Sequence, residues 1–450
     1  MEKMIQINPR EIAAEALMEI MTEGAYNNMT LRRLLRQNGA MSRQDRAFVT
    51  ELVNGTLRNL IFIDHVLNTF SKTKTEKMKP WLLSVMRLAV YQMYFMEVPD
   101  SAATNEAVKL AQARGYGDLK GFVNGVLRTA SRKRNEVPIP EEGTAERLSL
   151  MYSYPLWLVR MWIAYYGYAE TEDLCESGND APDVSIRVNT LKTTKEELKE
   201  MLEADGVVVT EGLVSENALH LRKTADMGRK EAFQNGLFHV QDESSQLAVK
   251  ILDPQKGESI MDMCAAPGGK SFTAAELMEN EGKLVSCDIY EHKIELMENG
   301  AERLGISMME CKVKDAAEKE EEHEMFDRVL VDAPCSGLGL IRKKPDICLR
   351  KDGNEIDSLT KIQKEILENA AGYVKNGGVL VYSTCTLCRK ENEKNLEWFL
   401  KNHPEFEAED ITSFLPEEWV AETAKEGHIT LMPHKTGTDG FFISRMRRKD

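Results

Sequence analysis

Residues Glu258–Asn280 have the sequence ESIMDMCAAPGGKSFTAAELMEN. It begins with a short apolar run typical of a buried strand, passes through two adjacent glycines, and continues with helix-forming residues. A strand, a glycine loop and a helix in this order are the repeating part of parallel sheets. From Gln241 onward, further apolar runs alternate with helical patterns. The sequence therefore predicts a mostly parallel, doubly wound α/β sheet with helices on both faces.

The part of the chain before this sheet shows two other patterns. Residues 1–140 are predicted to be helical almost throughout, because apolar residues recur at helical spacing and glycine and proline are rare. The segment NEVPIPEEG, Asn135–Gly143, predicts a linker. Residues 145–240 combine strand and helix patterns and predict a small α+β module. The predicted organisation is a multidomain chain with an all-α domain (1–140), this module (145–240) and the α/β domain (241–450).

Charge is distributed unevenly along the 450 residues. The whole chain has a net charge of −15, yet residues 1–140 contain 20 Lys and Arg against 14 Asp and Glu. A basic part joined to an acidic body favours a nucleic-acid partner for the basic part, although a solvated helical surface would look the same. The apolar runs are shorter than the roughly 18–20 residues of a membrane span, and Met1–Arg10 lacks signal-peptide features. We therefore expect a cytoplasmic protein with no membrane partner, and its eight cysteines as reduced thiols.

The glycine loop, Cys264–Lys270, is expected to bind a ligand, because ligands of doubly wound sheets lie outside the carboxyl ends of the strands. Its end matches a phosphate-binding P-loop, but the first glycine of that motif would fall where Cys264 stands. A nucleoside without a triphosphate fits better. Asp288 ends the next predicted strand, about 20 residues after the glycines, where a carboxylate can accept ribose hydroxyls. Asp315 and Asp332 follow at the next two strand ends, and we expect one shared pocket.

Two cysteines follow strands into the same edge of the sheet. Cys335 stands in VDAPCSG and Cys385 in YSTCT. Either thiolate is a candidate nucleophile if a nearby cation such as Lys270 lowers its pKa. Cys385 and Cys388 also form a C-x-x-C, which would suit zinc or a redox pair. The sequence offers no second C-x-x-C and no suitably spaced histidine pair, so no metal site is predicted.

Four motifs together carry a family resemblance: MCAAPGGK, VDAPCSG, YSTCT and GLFHVQDESSQL. They resemble the Sun/RsmB-type RNA cytosine-5 methyltransferases, which act on small-subunit ribosomal RNA. RQDRAFVTELVNGTLRN is similar to the NusB-type RNA-binding domain of those enzymes, and TDGFFISRMRR to their final strand. The likeness therefore extends over essentially the whole chain. One departure is YSTCTLC, where the family commonly has serine after the cysteine and no second thiol, which leaves the role of Cys388 open.

The resemblance implies a class I (Rossmann-like) methyltransferase domain with S-adenosylmethionine as cofactor. It implies that Cys385 attacks C6 of the cytosine, that Cys335 assists release, and that Asp332 interacts with N3. Lys270, the cation expected near the thiols, is the fourth expected catalytic residue. It implies that the loop holds the methionine end and ribose, that Asp288 holds the ribose hydroxyls, and that Asp315 holds the adenine amine. The expected cofactor-binding residues are Cys264, Ala265, Ala266, Pro267, Gly268, Gly269, Lys270, Asp288, Asp315 and Asp332.

The resemblance also implies the partners: 16S ribosomal RNA with an accessible cytosine, no DNA, and a monomeric enzyme. Arg187 and Asn189, on the first strand of the small module, become expected RNA contacts. Two alternatives stay open. One is an RNA-binding antitermination protein with an inactive methyltransferase domain, against which the intact cysteines and aspartates speak. The other is a DNA cytosine-5 methyltransferase, whose Glu-Asn-Val signature is missing here.

Overall fold

The computed structural model describes residues 8–180, 182–222, 227–320, 324–351 and 353–450. Two compact units divide the chain. The first comprises the chain up to Asp180 together with Ile341–Arg350, and the second comprises Ala181–Leu340 with Lys351–Asp450. No helix in these described ranges is long and apolar enough to span a bilayer.

The first unit is helical, as predicted for residues 1–140. Its α-helices are α1 (Pro9–Thr22), α2 (Asn27–Gln37), α3 (Arg43–Arg58), α4 (Leu60–Phe70), α5 (Pro80–Phe95), α6 (Asp100–Ala113), α7 (Lys120–Arg132), α8 (Ala145–Tyr152), α9 (Leu156–Tyr166), α10 (Tyr168–Ser177) and a short helix at Ile347–Arg350. α1 begins where the Asn8 side chain accepts the Arg10 backbone N–H, with Pro9 in the first turn. α5 is apolar nearly all round and is buried accordingly, so it forms the centre of this unit's core.

The second unit contains nine further helices within its described residues. They are α11 (Lys195–Ala204), α12 (Glu231–Gln234), α13 (Glu243–Leu252), α14 (Gly269–Leu277), α15 (Glu291–Leu304), α16 (Gly353–Tyr373), α17 (Glu393–Asn402), α18 (Glu422–Lys425) and α19 (Pro433–Thr436). α11 is a helix of the small module, whose sequence predicted both strands and helices. Thr194 and Glu197 form a reciprocal capping box at its start, each side chain bonding the other residue's backbone N–H.

A small antiparallel sheet of the second unit contains four strands in the order β2-β3-β1-β4. Their bounds are β1 (Val184–Val188), β2 (Val208–Glu211), β3 (Ala218–Arg222) and β4 (Phe238–Val240). α11 and α12 pack with it around a small apolar core. This is the α+β module predicted from the sequence. Its first strand starts at Val184, whereas α8–α10 belong to the first compact unit, so the boundary at residue 145 stays a prediction.

The main sheet has the order β10-β12-β9-β8-β5-β6-β7, and β11 pairs with β12. Its strands are β5 (Ser259–Asp262), β6 (Lys283–Asp288), β7 (Met309–Val313), β8 (Phe326–Asp332), β9 (Val374–Thr384), β10 (Phe406–Ala408), β11 (His428–Leu431) and β12 (Phe441–Arg448). Strands β5 to β9 are parallel, which confirms the predicted doubly wound sheet. From β5 the chain runs to β6 and β7 on one side and then to β8 and β9 on the other. The carboxyl ends of β5 and β8 therefore border the crevice of the topological switch point.

Candidate active site

The glycine loop connects the carboxyl end of β5 to the start of α14. The backbone N–H of Ala265 donates to the Cys287 carbonyl at 2.8 Å, which holds the loop against β6. Gly268 has a φ of +102°, and a Cβ there would lie 2.5 Å from the Phe272 ring. Only glycine fits this conformation and this close contact. The loop, called the cradle below, therefore turns tightly from β5 into α14 at the carboxyl end of the strand, where the sequence predicted it.

Carboxylates end the strands on either side of this cradle. Asp288 is the last residue of β6, and it accepts the Tyr290 backbone N–H at 3.2 Å and lies 3.3 Å from the Lys293 ammonium. Asp315 lies two residues beyond β7 and accepts the Ala317 N–H at 2.9 Å. Because β6 and β7 pair in parallel with Asp288 opposite Val313, both carboxylates lie at the same edge of the sheet.

The sequence reasoning missed one carboxylate of this edge, Asp262. It ends β5, is 1 % exposed, and accepts the Ser271 hydroxyl through Oδ2 at 2.7 Å. Among the described residues its Oδ1 has no partner. Burial raises the pKa of this carboxyl to about 7, although the bond from Ser271 acts in the opposite direction. An aspartate that directly follows an apolar strand and precedes a glycine loop was the signal that could have identified it.

Asp332 and Lys270 form an ion pair across the cradle. The Lys270 ammonium lies 2.6 Å from Asp332 Oδ2, and the Ser383 hydroxyl donates to Asp332 Oδ1 at 2.9 Å. Burial alone would lower the pKa of Lys270, but the charge of Asp332 and their hydrogen bond raise it on balance. Lys270 therefore stays charged, and Asp332 is held from two sides at the end of β8.

The two cysteines meet at this edge, one from the loop after β8 and one from the loop after β9. The Sγ atoms of Cys335 and Cys385 are 3.2 Å apart. The hydrogen bond with Cys385 and burial together raise the pKa of Cys335 well above its ordinary value, and the charges of Glu391 and Asp332 add to this. Cys335 is therefore held as a neutral thiol beside Cys385.

Bonds between the two loops keep the thiols together. The hydroxyls of Ser336 and Thr386, each next to one of the cysteines, lie 2.7 Å apart. The Gly339 N–H donates to the Cys385 carbonyl at 3.0 Å, and a Cβ on Gly339 would come within 1.8 Å of the Gly440 carbonyl oxygen. Thr386 thus supplies a hydroxyl at the position where the resembling enzymes commonly have serine.

Cys388, the second thiol of the C-x-x-C, is fully buried. The described part of the chain contains no group of three or more His, Cys, Asp or Glu side chains arranged to hold a metal ion.

The expectation that Arg187 and Asn189 contact RNA is wrong. Both are buried, at 3 % and 0 % exposed. The Arg187 guanidinium donates through Nε to Glu276 of α14 at 2.6 Å, and the Asn189 amide donates to the backbone carbonyls of Gly236 and Leu304 at 2.8 Å. These side chains join the small sheet to α14 and α15 within the second unit, a role that the local strand pattern did not reveal.

Known proteins resemble the chain over its full length. The family model "16S rRNA methyltransferase RsmB/F" matches residues 249–447, the NusB family model matches 7–132, and a ferredoxin-like domain of RsmF/B-like methyltransferases matches 154–228. A probable ribosomal RNA small subunit methyltransferase B of Bacillus subtilis is 42% identical over 444 residues, 98% of each chain. The corresponding protein of Yersinia pseudotuberculosis is 32% identical, over 98% of this chain and 99% of its own. The chain belongs to the ribosomal RNA small subunit methyltransferase B family.

Solved structures agree with this family assignment. "Crystal Structure of PH0851" superposes with a TM-score of 0.83 at 30% identity and covers 99% of this chain and 100% of its own. A methyltransferase homologue from Pyrococcus horikoshii has a TM-score of 0.59 at 27% identity, over 68% of this chain and 100% of its own. The family resemblance, the NusB-like domain, the small α+β module, which matches a ferredoxin-like domain, and the Rossmann-like domain are thereby confirmed.

As a member of this family the protein is a methyltransferase that uses S-adenosylmethionine. The crevice fits such a cofactor. Asp288 presents a carboxylate at the end of β6 of the kind that binds ribose hydroxyls, and the buried Asp262 Oδ1 has no donor among the described residues.

Proposed function

We propose that this enzyme methylates C5 of a specific cytidine in 16S ribosomal RNA through a covalent bond between Cys385 and C6. The observation that carries the proposal is the pair of thiols, 3.2 Å apart, beside the Lys270–Asp332 ion pair at the switch point. Cytosine C5 is a weak nucleophile. Addition of a thiolate at C6 supplies the electron pair that C5 needs, and a second group is then needed to complete release.

In this mechanism the Cys385 thiolate forms a bond to C6 while electron density moves to C5 and N3. Asp332, held by Lys270 and Ser383, stabilises the protonated N3. S-adenosylmethionine, when bound, would supply the methyl group to C5 and leave as S-adenosylhomocysteine. The C5 proton then passes to a solvent water, and the electrons of the C5–H bond form the C5–C6 double bond as the Cys385–C6 bond breaks and regenerates the thiolate.

The state of Cys335 supports a division of labour between the thiols. While Cys385 is free, their hydrogen bond and burial keep the pKa of Cys335 high, so Cys335 does not compete for C6. Cys335 therefore stays protonated next to the attacking sulfur, in the position from which it can assist release.

The cofactor residues of the proposal are those expected from the sequence. The loop Cys264–Lys270 holds the methionine end and the ribose of S-adenosylmethionine. Asp288 accepts hydrogen bonds from the ribose hydroxyls, and Asp315 accepts a hydrogen bond from the adenine amine. The proposed division of the chain is a NusB-like RNA-binding domain (1–140), a small module (145–240) and the methyltransferase domain (241–450). We further propose a cytoplasmic monomer that acts on ribosomal RNA and on neither DNA nor membranes.

The test compares Cys385→Ala, Cys335→Ala and the double variant on a denaturing gel with substrate RNA and S-adenosylmethionine. Cys385→Ala should form no adduct, because the first bond is never made. Cys335→Ala should methylate but accumulate a protein–RNA complex that survives denaturation, and the double variant should lose it. An adduct in Cys385→Ala alone would reverse the two roles, as in the DNA-type mechanism. Label transferred to DNA in place of RNA would overturn the substrate.

A further inference from the structure

Glu391 is a fully buried carboxylate that the mechanism above does not use. It lies six residues after Cys385, between β9 and α17, and is 0 % exposed. Within the described part of the chain its carboxylate bonds only to neutral donors. Oε2 accepts the backbone N–H of Ser336 and the amide of Gln363, each at 2.9 Å, and Oε1 accepts the Ser336 hydroxyl. A buried charge without a cation is costly, and it persists only where several donors compensate for lost water.

These bonds hold the chain on both sides of Cys335. Ser336 follows Cys335 directly. The Gln363 amide that reaches Glu391 also donates to the carbonyl of Pro334, which precedes Cys335, at 2.9 Å. Glu391 and Gln363 therefore hold the backbone of the Cys335 loop immediately before and after the thiol.

The backbone of Glu391 is attached to the other cysteine's strand and turn. Its N–H donates to the Cys388 carbonyl at 3.0 Å, and its carbonyl accepts the Tyr382 hydroxyl at 2.5 Å. Tyr382 is a fully buried residue of β9, three residues before Cys385. One residue thus links the element that carries Cys385 to the loop that carries Cys335, and both ends of the link are buried.

We propose that Glu391 is a positioning residue that sets the Cys335 thiol against Cys385. This role rests on the proposed two-thiol mechanism. The distance between the two thiols is then set by Glu391, a residue that is itself fully buried. When the carboxylate is replaced, the Cys335 loop loses its attachment while β9 still presents Cys385. Attack at C6 therefore continues, and release slows.

The variant for the test is Glu391→Gln, which keeps the shape but places an NH₂ group opposite donors that need an acceptor. The matched control is Glu243→Gln. Glu243 is also buried and also accepts backbone N–H groups, from Leu213 and Val214, but it belongs to the attachment of the small sheet. Both variants should lose stability by similar amounts, so stability alone does not separate the two positions.

The first readout is the fraction of enzyme trapped on RNA. A displacement of about 1 Å at a reacting group can cost about a hundredfold in rate. Glu391→Gln should therefore slow release by about 10- to 100-fold and raise the adduct fraction at steady state, with an adduct formation rate close to that of the wild type. Glu243→Gln should keep the wild-type ratio of adduct formation to release.

The second readout needs no substrate. Diamide oxidises two adjacent thiols to a disulfide and takes up their two electrons and two protons, and peptide mass spectrometry identifies the Cys335–Cys385 product. This cross-link should form about tenfold or more slowly in Glu391→Gln than in the wild type or Glu243→Gln. If Glu391→Gln does not fold, Ser336→Ala, which removes only the hydroxyl donor, replaces it and should slow the cross-link by a smaller factor.

The positioning role of Glu391 and the two-thiol mechanism can fail independently. A wild-type cross-linking rate in Glu391→Gln, or in Ser336→Ala if that variant replaces it, overturns the positioning role whatever adducts form. A slowed cross-link together with raised adduct supports it. If Cys335→Ala forms no adduct at all, the proposed function fails, and the cross-linking rates alone decide the role of Glu391.

Discussion

Arg187 forms a buried ion pair with Glu276, although its place on a strand suggested an RNA contact. Loss of this ion pair should therefore destabilise the protein locally. Both side chains are almost inaccessible, at 4 % and 0 % exposed, and their atoms are 2.6 Å apart. In Arg187→Ala, the one contact left to Glu276 among the described residues is with His239, at 3.4 Å. Removal of one partner of a buried pair costs about 3–5 kcal/mol, because the other charge stays buried and uncompensated.

Hydrogen–deuterium exchange measures this cost locally. Some amides in β1 and α14 exchange only when the small sheet separates from α14. In Arg187→Ala these amides should exchange about 100- to 4,000-fold faster, because each 1.4 kcal/mol of lost stability raises the opening equilibrium constant about tenfold. Arg187→Met/Glu276→Met should recover most of the protection, because an apolar pair of similar size carries no desolvation cost. Arg222→Ala, which breaks an ion pair whose arginine is 65 % exposed on β3, should change exchange less than about fivefold.

The reasoning is refuted if Arg187→Ala leaves exchange in β1 and α14 unchanged while it weakens RNA binding. That result would return Arg187 to the RNA contact expected from its strand. Full-chain RNA binding of the Arg187→Met/Glu276→Met variant is the companion measurement, and it should match the wild type.

Two further predictions concern the cofactor crevice. Asp288→Ala should weaken S-adenosylmethionine binding by roughly 1–3 kcal/mol in calorimetry, because the ribose hydroxyls lose a buried acceptor, and unchanged affinity would move the ribose site elsewhere. In the folded protein the pKa of Asp262 is raised to about 7. Between about pH 4 and pH 7 the folded protein therefore keeps a proton on Asp262, whereas the unfolded chain has released it. Its contribution to stability therefore falls as pH rises through this window. From pH 4 to pH 7, Asp262→Asn should gain up to about 4 kcal/mol of unfolding free energy relative to wild type, at about 1.4 kcal/mol per pH unit. Urea unfolding at stepped pH measures this, and a pH-independent difference would contradict it.

Features that depend on a short run of residues could be predicted from the sequence. The cradle at Gly268 requires a glycine, and the capping box of α11 requires Thr194 and Glu197, so each is visible in a few letters. Asp288 was identified for the same reason, because the end of a strand follows from the local pattern. The alternation of strands and helices also predicted which edge of the sheet carries the site, since parallel strands place their carboxyl ends together.

Pairings between distant segments were decided only by the tertiary structure. The sequence placed Cys335 and Cys385 at the same edge of the sheet, but their contact required β8 and β9 to be neighbours in a particular register. Arg187 looks like a surface residue of a strand because periodicity shows which face a side chain occupies and not what covers that face. Asp262 and Glu391 were missed for a related reason. The burial of a carboxylate and the donors that compensate its charge come from elements far apart in the chain, and no local pattern records them.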